Sequence, residues 1–361
     1  MSGEPPLPSL HAVRRYGPVG GMERYVWELT RALAAAGHPV TVVCERSHAP
    51  PPAGVIVHEL GTVAPRPRWL ALLRFSRRVA CFLRERPQAA IVHSHERLGV
   101  HQVTTFHGPP FALVRERPWW RRASLRVAMH LWLERRELCG PQVRAVVPNS
   151  PLIAQQLLRY YPQVARRLTA PVPPGVTPGP RRCARAVPPD GGVIGFVGRE
   201  WRRKGLERAV AVVAELRRRR PRLELWVAGP PPQEVRHLFA GGDDGVRLLG
   251  WSADPALYAQ FDLLLHPALA EPYGMVVAEA MAAAVPVVIS DRCGIAPEVT
   301  PAAGCVLPVD APLADWVAAC EAQLGRAEPP PRYARDWAQV AREQAAIYRR
   351  LLPIAAGGSR G

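Results

Sequence analysis

The stretch that leaves this chain the fewest folds is Asp262 to Ser290, D-L-L-L-H-P-A-L-A-E-P-Y-G-M-V-V-A-E-A-M-A-A-A-V-P-V-V-I-S. An apolar run of strand length, Asp262 to His266, meets a loop holding Glu271, Pro272 and Gly274. An Ala-rich helical stretch to Ala284 follows, and then a second β-branched run, Val285 to Ile289. That order is strand, loop, helix, strand, the unit of an α/β protein. Pro272 and Gly274 allow a tight entry into the helix. The first amides, those of Gly274, Met275 and Val276, then point outward, where free N–H groups and the helix dipole suit an anion. Glu271 and Glu279 flank that start. A carboxylate accepts hydrogen bonds from two neighbouring hydroxyls, which is what sugar recognition requires. A bare pair of this spacing reads more simply as a cap and an exposed helical residue; its place between two buried strands favours the binding role.

The rest of the chain repeats the alternation. Leu10 to Val13 is a short strand, and the loop from Gly17 through Gly20 and Gly21 opens an amphipathic helix over 22–36, followed by the strand Val40 to Cys44. The loop lacks the G-x-G-x-x-G spacing, which argues against a nicotinamide enzyme. Val55 to Leu60, Ala89 to His93, Val103 to Phe106 and Arg144 to Val147 read as further strands. His107 stands where one of them ends, at the mouth of a parallel sheet. Leu168 to Pro189 is proline-rich and poor in pattern, and an interdomain linker is expected there. Beyond it, the strand Val193 to Val197 runs into Gly198, Arg199, Arg203 and Lys204 before a helix over 206–219. That places cations at the carboxyl end of a sheet, where ligands bind in such folds.

Composition sharpens one of these positions. The net charge is +17, yet Lys204 is the single lysine among 47 basic residues. Under so strong a skew toward arginine, a retained lysine reads either as chance retention or as a position that needs a compact charge. The seven cysteines are scattered without C-x-x-C spacing, so reduced thiols and no zinc site are expected. The first ten residues hold no apolar signal-peptide core, and no run approaches the roughly 20 apolar residues of a membrane span. Between Arg115 and Arg136, Trp119, Trp120 and Trp132 are interleaved with seven arginines. This suits an anionic membrane surface, although a packed helix with a solvated basic face has the same composition. Trp69, Leu72, Phe75, Val79 and Phe82 share one helix side, with Arg74, Arg77 and Arg78 on the other.

E-P-Y-G-M-V-V-A-E-A-M-A-A-A-V-P-V-V resembles the signature of the family 4 glycosyltransferases, retaining enzymes of the type called GT-B. V-G-x-x-x-x-R-K-G and P-P-G-V are most similar to the heptose glucosyltransferases of bacterial lipopolysaccharide-core synthesis. The resemblance implies an α/β protein with two Rossmann-like, doubly wound domains facing across a cleft. The first would take 1–175, the linker 176–190 and the second 191–332, with a last helix over 333–352 crossing back to the first. It further implies that Glu271 contacts the transferred sugar and Glu279 holds the ribose. Arg199 and Lys204 would bind the diphosphate, helped by Arg203 and by the helix start at Gly274, Met275 and Val276. Gly20 and Gly21 would approach the donor, and His107 would touch its sugar, making Glu271, His107, Arg199 and Lys204 the catalytic set.

The expected reaction moves a hexose from a nucleotide sugar, a UDP-sugar first among them, to a cell-envelope glycan or glycolipid, with lipopolysaccharide core as acceptor. No D-x-D motif occurs, so neither metal nor other cofactor is expected. The protein is expected to be a cytoplasmic monomer at the inner face of the plasma membrane, touching it through 111–138 and also 66–86. Dispersed arginines without a recognition motif argue against a nucleic-acid partner. A non-catalytic glycan-binding scaffold and a different envelope or small-molecule acceptor are the rival readings.

Overall fold

In a computed structural model the described residues are 5–87, 90–184, 186–239, 244–252, 254–326 and 328–352. Their β-branched runs pair into two six-stranded parallel sheets, one in each of two units. In the first unit the strands are β1 (Ser9–Ala12), β2 (Val40–Cys44), β3 (Val55–Glu59), β4 (Ile91–Ser94), β5 (Val103–Phe106) and β6 (Ala145–Pro148). They lie in the order β3-β2-β1-β4-β5-β6, the doubly wound arrangement of dinucleotide-binding folds. Every residue of β1, β4, β5 and β6 is buried, as a sheet covered on both faces demands.

The cover comes from α1 (Gly21–Ala35), α2 (Arg68–Glu85), α3 (Leu125–Cys139) and α4 (Pro151–Tyr160). In α2, Leu72, Phe75, Val79 and Phe82 are buried at helical spacing and Arg74, Arg77 and Arg78 are exposed. Each such apolar side chain contributes about 1.5–3 kcal/mol on burial. Ser150 starts α4 by accepting from the Ile153 amide at 3.2 Å, with a proline in the first turn.

The second unit repeats the plan with β7 (Gly191–Val197), β8 (Arg222–Ala228), β9 (Val246–Gly250), β10 (Leu263–His266), β11 (Val287–Ser290) and β12 (Gly304–Leu307), in the order β9-β8-β7-β10-β11-β12. Its main helices are α5 (Leu206–Arg217), α6 (Met275–Ala282) and α7 (Leu313–Leu324). Strand order reverses between β7 and β10, and beyond their carboxyl ends lies the crevice where open α/β sheets bind ligands. The last helix, α8 (Trp337–Leu351), belongs to the first unit and packs on α1.

Three expectations change. Residues 176–190, read as a linker, fall in the second unit where they are described, although most of 177–184 is exposed. The buried Arg182 guanidinium grips Asp262 through Nε at 3.2 Å and Nη2 at 2.9 Å, and the Arg182 amide donates to the Ala283 carbonyl at 2.8 Å. Arg185 lies outside the described residues. The last helix begins at Trp337, because the stretch before it is tied to the second unit. The Val176 amide donates to the Arg335 carbonyl at 2.9 Å, and the Tyr333 hydroxyl reaches Tyr273 and Glu298 at 2.7 and 2.6 Å. The helix expected to reach Ala284 stops at Ala282, since Ala284 takes a left-handed φ of 59°. Ala89, where one strand was expected to open, and Met1 to Glu4 lie outside the described residues. No described helix is long and apolar enough to cross a membrane.

Candidate functional site

In the second unit the site forms where β7 and β10 end. The Lys204 side chain runs directly over Gly198, where a β-carbon would fall 2.1 Å from Lys204 Cδ; only glycine leaves that path open. Gly205, at φ 80°, sits so close to the turn after β10 that a β-carbon would meet the Pro267 carbonyl at 2.0 Å. The two close approaches bring the cation of one strand end onto the loop of the other.

There, Lys204 Nζ donates to Glu271 Oε2 at 2.7 Å, Arg203 Nη1 stands 3.5 Å from the same oxygen and the buried His266 Nε2 lies 3.4 Å from it. Arg203 also donates to the Ala270 carbonyl and pairs with Glu200. The Glu271 backbone is pinned on both sides, its amide donating to Arg292 O and its carbonyl accepting from the Gly294 amide, each at 2.9 Å. The carboxylate is therefore held before any ligand arrives. Burial raises a carboxyl's pKa, but Lys204, His266 and Arg203 together outweigh it and hold Glu271 well below the usual carboxylate range. Burial, with Lys204 and Arg203 nearby, lowers His266 despite the pull of Glu271, so the imidazole is neutral.

Gly274 caps α6 with a φ of 110° and no side-chain cap, leaving the first-turn amides of Met275 and Val276 without an acceptor inside the helix. Glu279, half-buried on α6, accepts from the Tyr258 hydroxyl at 2.5 Å. Arg199 is exposed at the end of β7 and makes no hydrogen bond or ion pair among the described residues. Of the predicted cations, Lys204 and Arg203 are thus drawn onto Glu271, while Arg199 makes no such pair among the described residues.

In the first unit, His107 follows β5. Its Nε2 pairs with His95 Nδ1 at 3.0 Å, its carbonyl accepts from Asn149 Nδ2 at 3.3 Å and its ring stands edge-on to Tyr25. Burial pushes the imidazole down to about 3, so it is neutral near pH 7. Gly20 precedes α1 in extended backbone, and the Glu23 carboxylate, held by Arg15 Nε at 2.9 Å, lies against it. A β-carbon at Gly20 would fall 2.4 Å from Glu23 Oε2, whereas one at Gly21 would meet nothing. An anion approaching these amides has to move the Glu23 carboxylate aside.

Sequence reasoning gave no role to Tyr258, His266 or the histidines around His107. For His266 the signal was its position at the end of a fully apolar run. For His93 and His95 it was the alternation in I-V-H-S-H, which puts both on one side of a strand.

Comparison with known proteins bears on the same two units. Residues 19–179 match the family described as Glycosyltransferase Family 4, and residues 191–325 match Glycosyl transferases group 1. The chain is 31% identical to a D-inositol 3-phosphate glycosyltransferase of Geodermatophilus obscurus, over 86% of this chain and 79% of that one. It is 27% identical to a GDP-mannose-dependent alpha-mannosyltransferase of Mycolicibacterium smegmatis, over 81% and 82%. Among solved structures, WaaG, a glycosyltransferase involved in lipopolysaccharide biosynthesis, superposes with a TM-score of 0.78 at 22% identity, covering 97% of this chain and 100% of that one. Anabaena HepE in complex with UDP-glucose gives 0.65 at 16%, covering 95% and 100%. The two Rossmann-like sheets are thus those of GT-B glycosyltransferases.

Proposed function

The chain belongs to the family 4, group 1 glycosyltransferases, and from that premise we propose that it is a retaining, metal-independent hexosyltransferase using a UDP-sugar as donor. The observation that carries the reading is the Lys204–Glu271 pair, fixed beside the uncapped start of α6 at the switch point of the second sheet. The donor diphosphate rests on the amides of Gly274, Met275 and Val276, with Arg199, Lys204 and Arg203 balancing the charge that grows on the leaving group. Glu279 accepts from the ribose hydroxyls and Glu271 from the hydroxyls of the transferred sugar. In the first unit, His107, Gly20 and Gly21 stand at the strand ends where carbohydrate is bound. The bond from the anomeric carbon to the diphosphate breaks and the bond to the acceptor oxygen forms on the same face. The acceptor proton passes to a leaving phosphate oxygen.

Indole rings exposed at 68% for Trp119, 63% for Trp120 and 48% for Trp132, with Arg117, Arg121, Arg122 and Arg126 exposed beside them, support an acceptor held at an anionic membrane surface. In this reading the enzyme works in the cytoplasm at the inner membrane face and acts on an envelope glycan or glycolipid such as lipopolysaccharide core. The segment 66–86 adds the exposed arginines of α2. A small polyol phosphate is the second acceptor reading, favoured by the inositol-phosphate glycosyltransferase among the relatives.

Calorimetry with UDP and a transfer assay test the roles. Glu279→Ala is expected to weaken UDP binding at least about tenfold, the loss of one charge-assisted hydrogen bond. Glu271→Gln should spare UDP binding and lower transfer about a hundredfold or more. Equal effects from both variants would undo the assignment, and failure to bind any UDP-, GDP- or ADP-sugar would leave a non-catalytic scaffold.

A further inference from the structure

Six polar side chains of the first unit form one hydrogen-bonded row that ends at His107. Thr105 Oγ1 pairs with His93 Nε2 at 2.8 Å, and His93 Nδ1 pairs with the Tyr348 hydroxyl at 2.6 Å. That hydroxyl lies 3.5 Å from His11 Nε2, the longest link. His11 Nδ1 pairs with His95 Nε2 at 3.1 Å, and His95 Nδ1 with His107 Nε2 at 3.0 Å. Strand pairing sets His11 of β1 directly opposite His93 of β4, and α8 supplies Tyr348. One ring nitrogen from each of His11, His93 and His95 lies within 4.8 Å of the other two, and the ring nitrogens are taken up by neighbours in the row.

No carboxylate joins the row. Burial pushes His11 and His107 down to about 3 and His93 and His95 well below the ordinary imidazole range, so all four rings are neutral. A neutral imidazole has one donor and one acceptor nitrogen. The Gln344 amide also reaches the Tyr348 hydroxyl and donates to it, which leaves the hydroxyl proton for the row; the row then has two arrangements, with every proton pointing one way or the other. Thr105 decides between them. It is 1% exposed, and among the described residues its hydroxyl has no partner besides His93. Accepting from His93 would leave its O–H buried without an acceptor, which costs about 1–3 kcal/mol; donating leaves nothing stranded. His93, His11 and His95 are then all protonated on Nδ1, Tyr348 donates toward His11, and His107 accepts at Nε2. The remaining His107 proton sits on Nδ1, which has no protein partner among the described residues.

We propose that this row fixes His107 as a neutral hydrogen-bond donor, presenting Nδ1–H to an oxygen of the bound carbohydrate, and that Thr105, His93, Tyr348, His11 and His95 are positioning residues for it. The proposal rests on the reading of His107 as a substrate-contacting residue. A ring locked this way serves as a donor to a hydroxyl or a developing oxyanion and does not act as a base.

Nitrogen-15 spectra of the histidine-labelled full chain test the row without reference to activity. The expected result is four imidazoles, assigned by their loss in single variants, all in the Nδ1–H form and unprotonated from pH 8 down to about pH 5, below the ordinary imidazole pKa. Thr105→Val should let His107 drift to the Nε2–H form or a mixture, and Thr105→Ser should preserve it. Wild-type His107 protonated on Nε2, or a Thr105→Val spectrum identical to wild type, overturns the proposal; should that variant not fold, the wild-type spectrum decides alone. In transfer assays His107→Asn, whose amide nitrogen can replace Nδ1, is expected to stay within about tenfold of wild type, while His107→Ala and His107→Gln lose about a hundredfold. The predicted tautomers together with full transfer in His107→Ala would overturn the substrate contact and leave the row standing.

Discussion

Glu271 illustrates how much of a carboxylate's behaviour is decided by what is folded over it. In an unfolded chain it would titrate like any glutamate; here Lys204, Arg203 and His266 surround one oxygen and keep it ionised. Removing one partner of a buried pair leaves a charge without compensation, so the positions that let the partners meet matter as much as the partners. Gly198 is such a position. Gly198→Ala puts a methyl group into the path of Lys204 at a φ of 148°, where a side chain is strained. The variant is expected to fold, by circular dichroism, and to lose about a hundredfold in transfer kcat/KM as Lys204 is pushed off Glu271. Unchanged kcat/KM would mean that the lysine has a second route to its place.

Among the elements, the segment from Phe111 to Leu138 is the one whose surface is out of keeping with its fold. It contains the 3-10 helix Phe111–Glu116, the short helix Trp119–Arg122 and most of α3. Its inward side is firmly built. Glu134 is fully buried, accepting from the amides of Phe111 and Ala112 at 2.6 and 2.9 Å and from the Tyr161 hydroxyl at 2.9 Å. Its outward side leaves Trp119, Trp120 and Leu125 more than 60% exposed among arginines. Sedimentation with phosphatidylglycerol vesicles should show binding that falls about tenfold or more in a Trp119→Ala, Trp120→Ala double variant and weakens with salt, as about 1 kcal/mol per basic residue near an anionic surface requires. Equal binding to neutral vesicles, or by the double variant, would reduce this face to a solvated basic surface. The segment 66–86 is less open, because Arg78 is turned back onto the carbonyls of Leu60 and Gly61 at 3.0 and 2.7 Å.

For the chain as one object, the two units should answer acid differently. His11, His93 and His95 are buried neutral, with pKa values below those of the unfolded chain. Below about pH 6.5 the unfolded state binds protons that the folded state refuses, so this contribution is complete above that pH and is lost as pH falls. His107 and His101 of the same unit, also pushed down by burial, add to that loss. The Lys204–Glu271 pair of the second unit persists to far lower pH, since its carboxyl is held down. Amide hydrogen exchange at pH 7 and pH 5 is expected to show β1, β4 and β5 losing protection well before β7 and β10. Simultaneous loss in both sheets would mean that the histidines do not govern acid stability.

Repeated β-branched runs separated by helix-length amphipathic stretches were enough to give an α/β chain with two parallel sheets, because local periodicity and turn residues carry that information. The Glu271 loop, the Gly274 helix start and the lone Lys204 stood out for the same reason: backbone geometry and a charge of a given shape are properties of short stretches. The chain order did not reveal that Lys204 and Arg203 close on Glu271 and leave Arg199 outward, that Glu23 covers Gly20, or that the supposed linker is sealed down by Arg182 on Asp262. Nor did it reveal that four histidines and a tyrosine from the last helix touch in a single row. Those pairings join residues distant in sequence, and what makes them form is the burial that strips water from each partner, a condition that arises only once the sheets have folded.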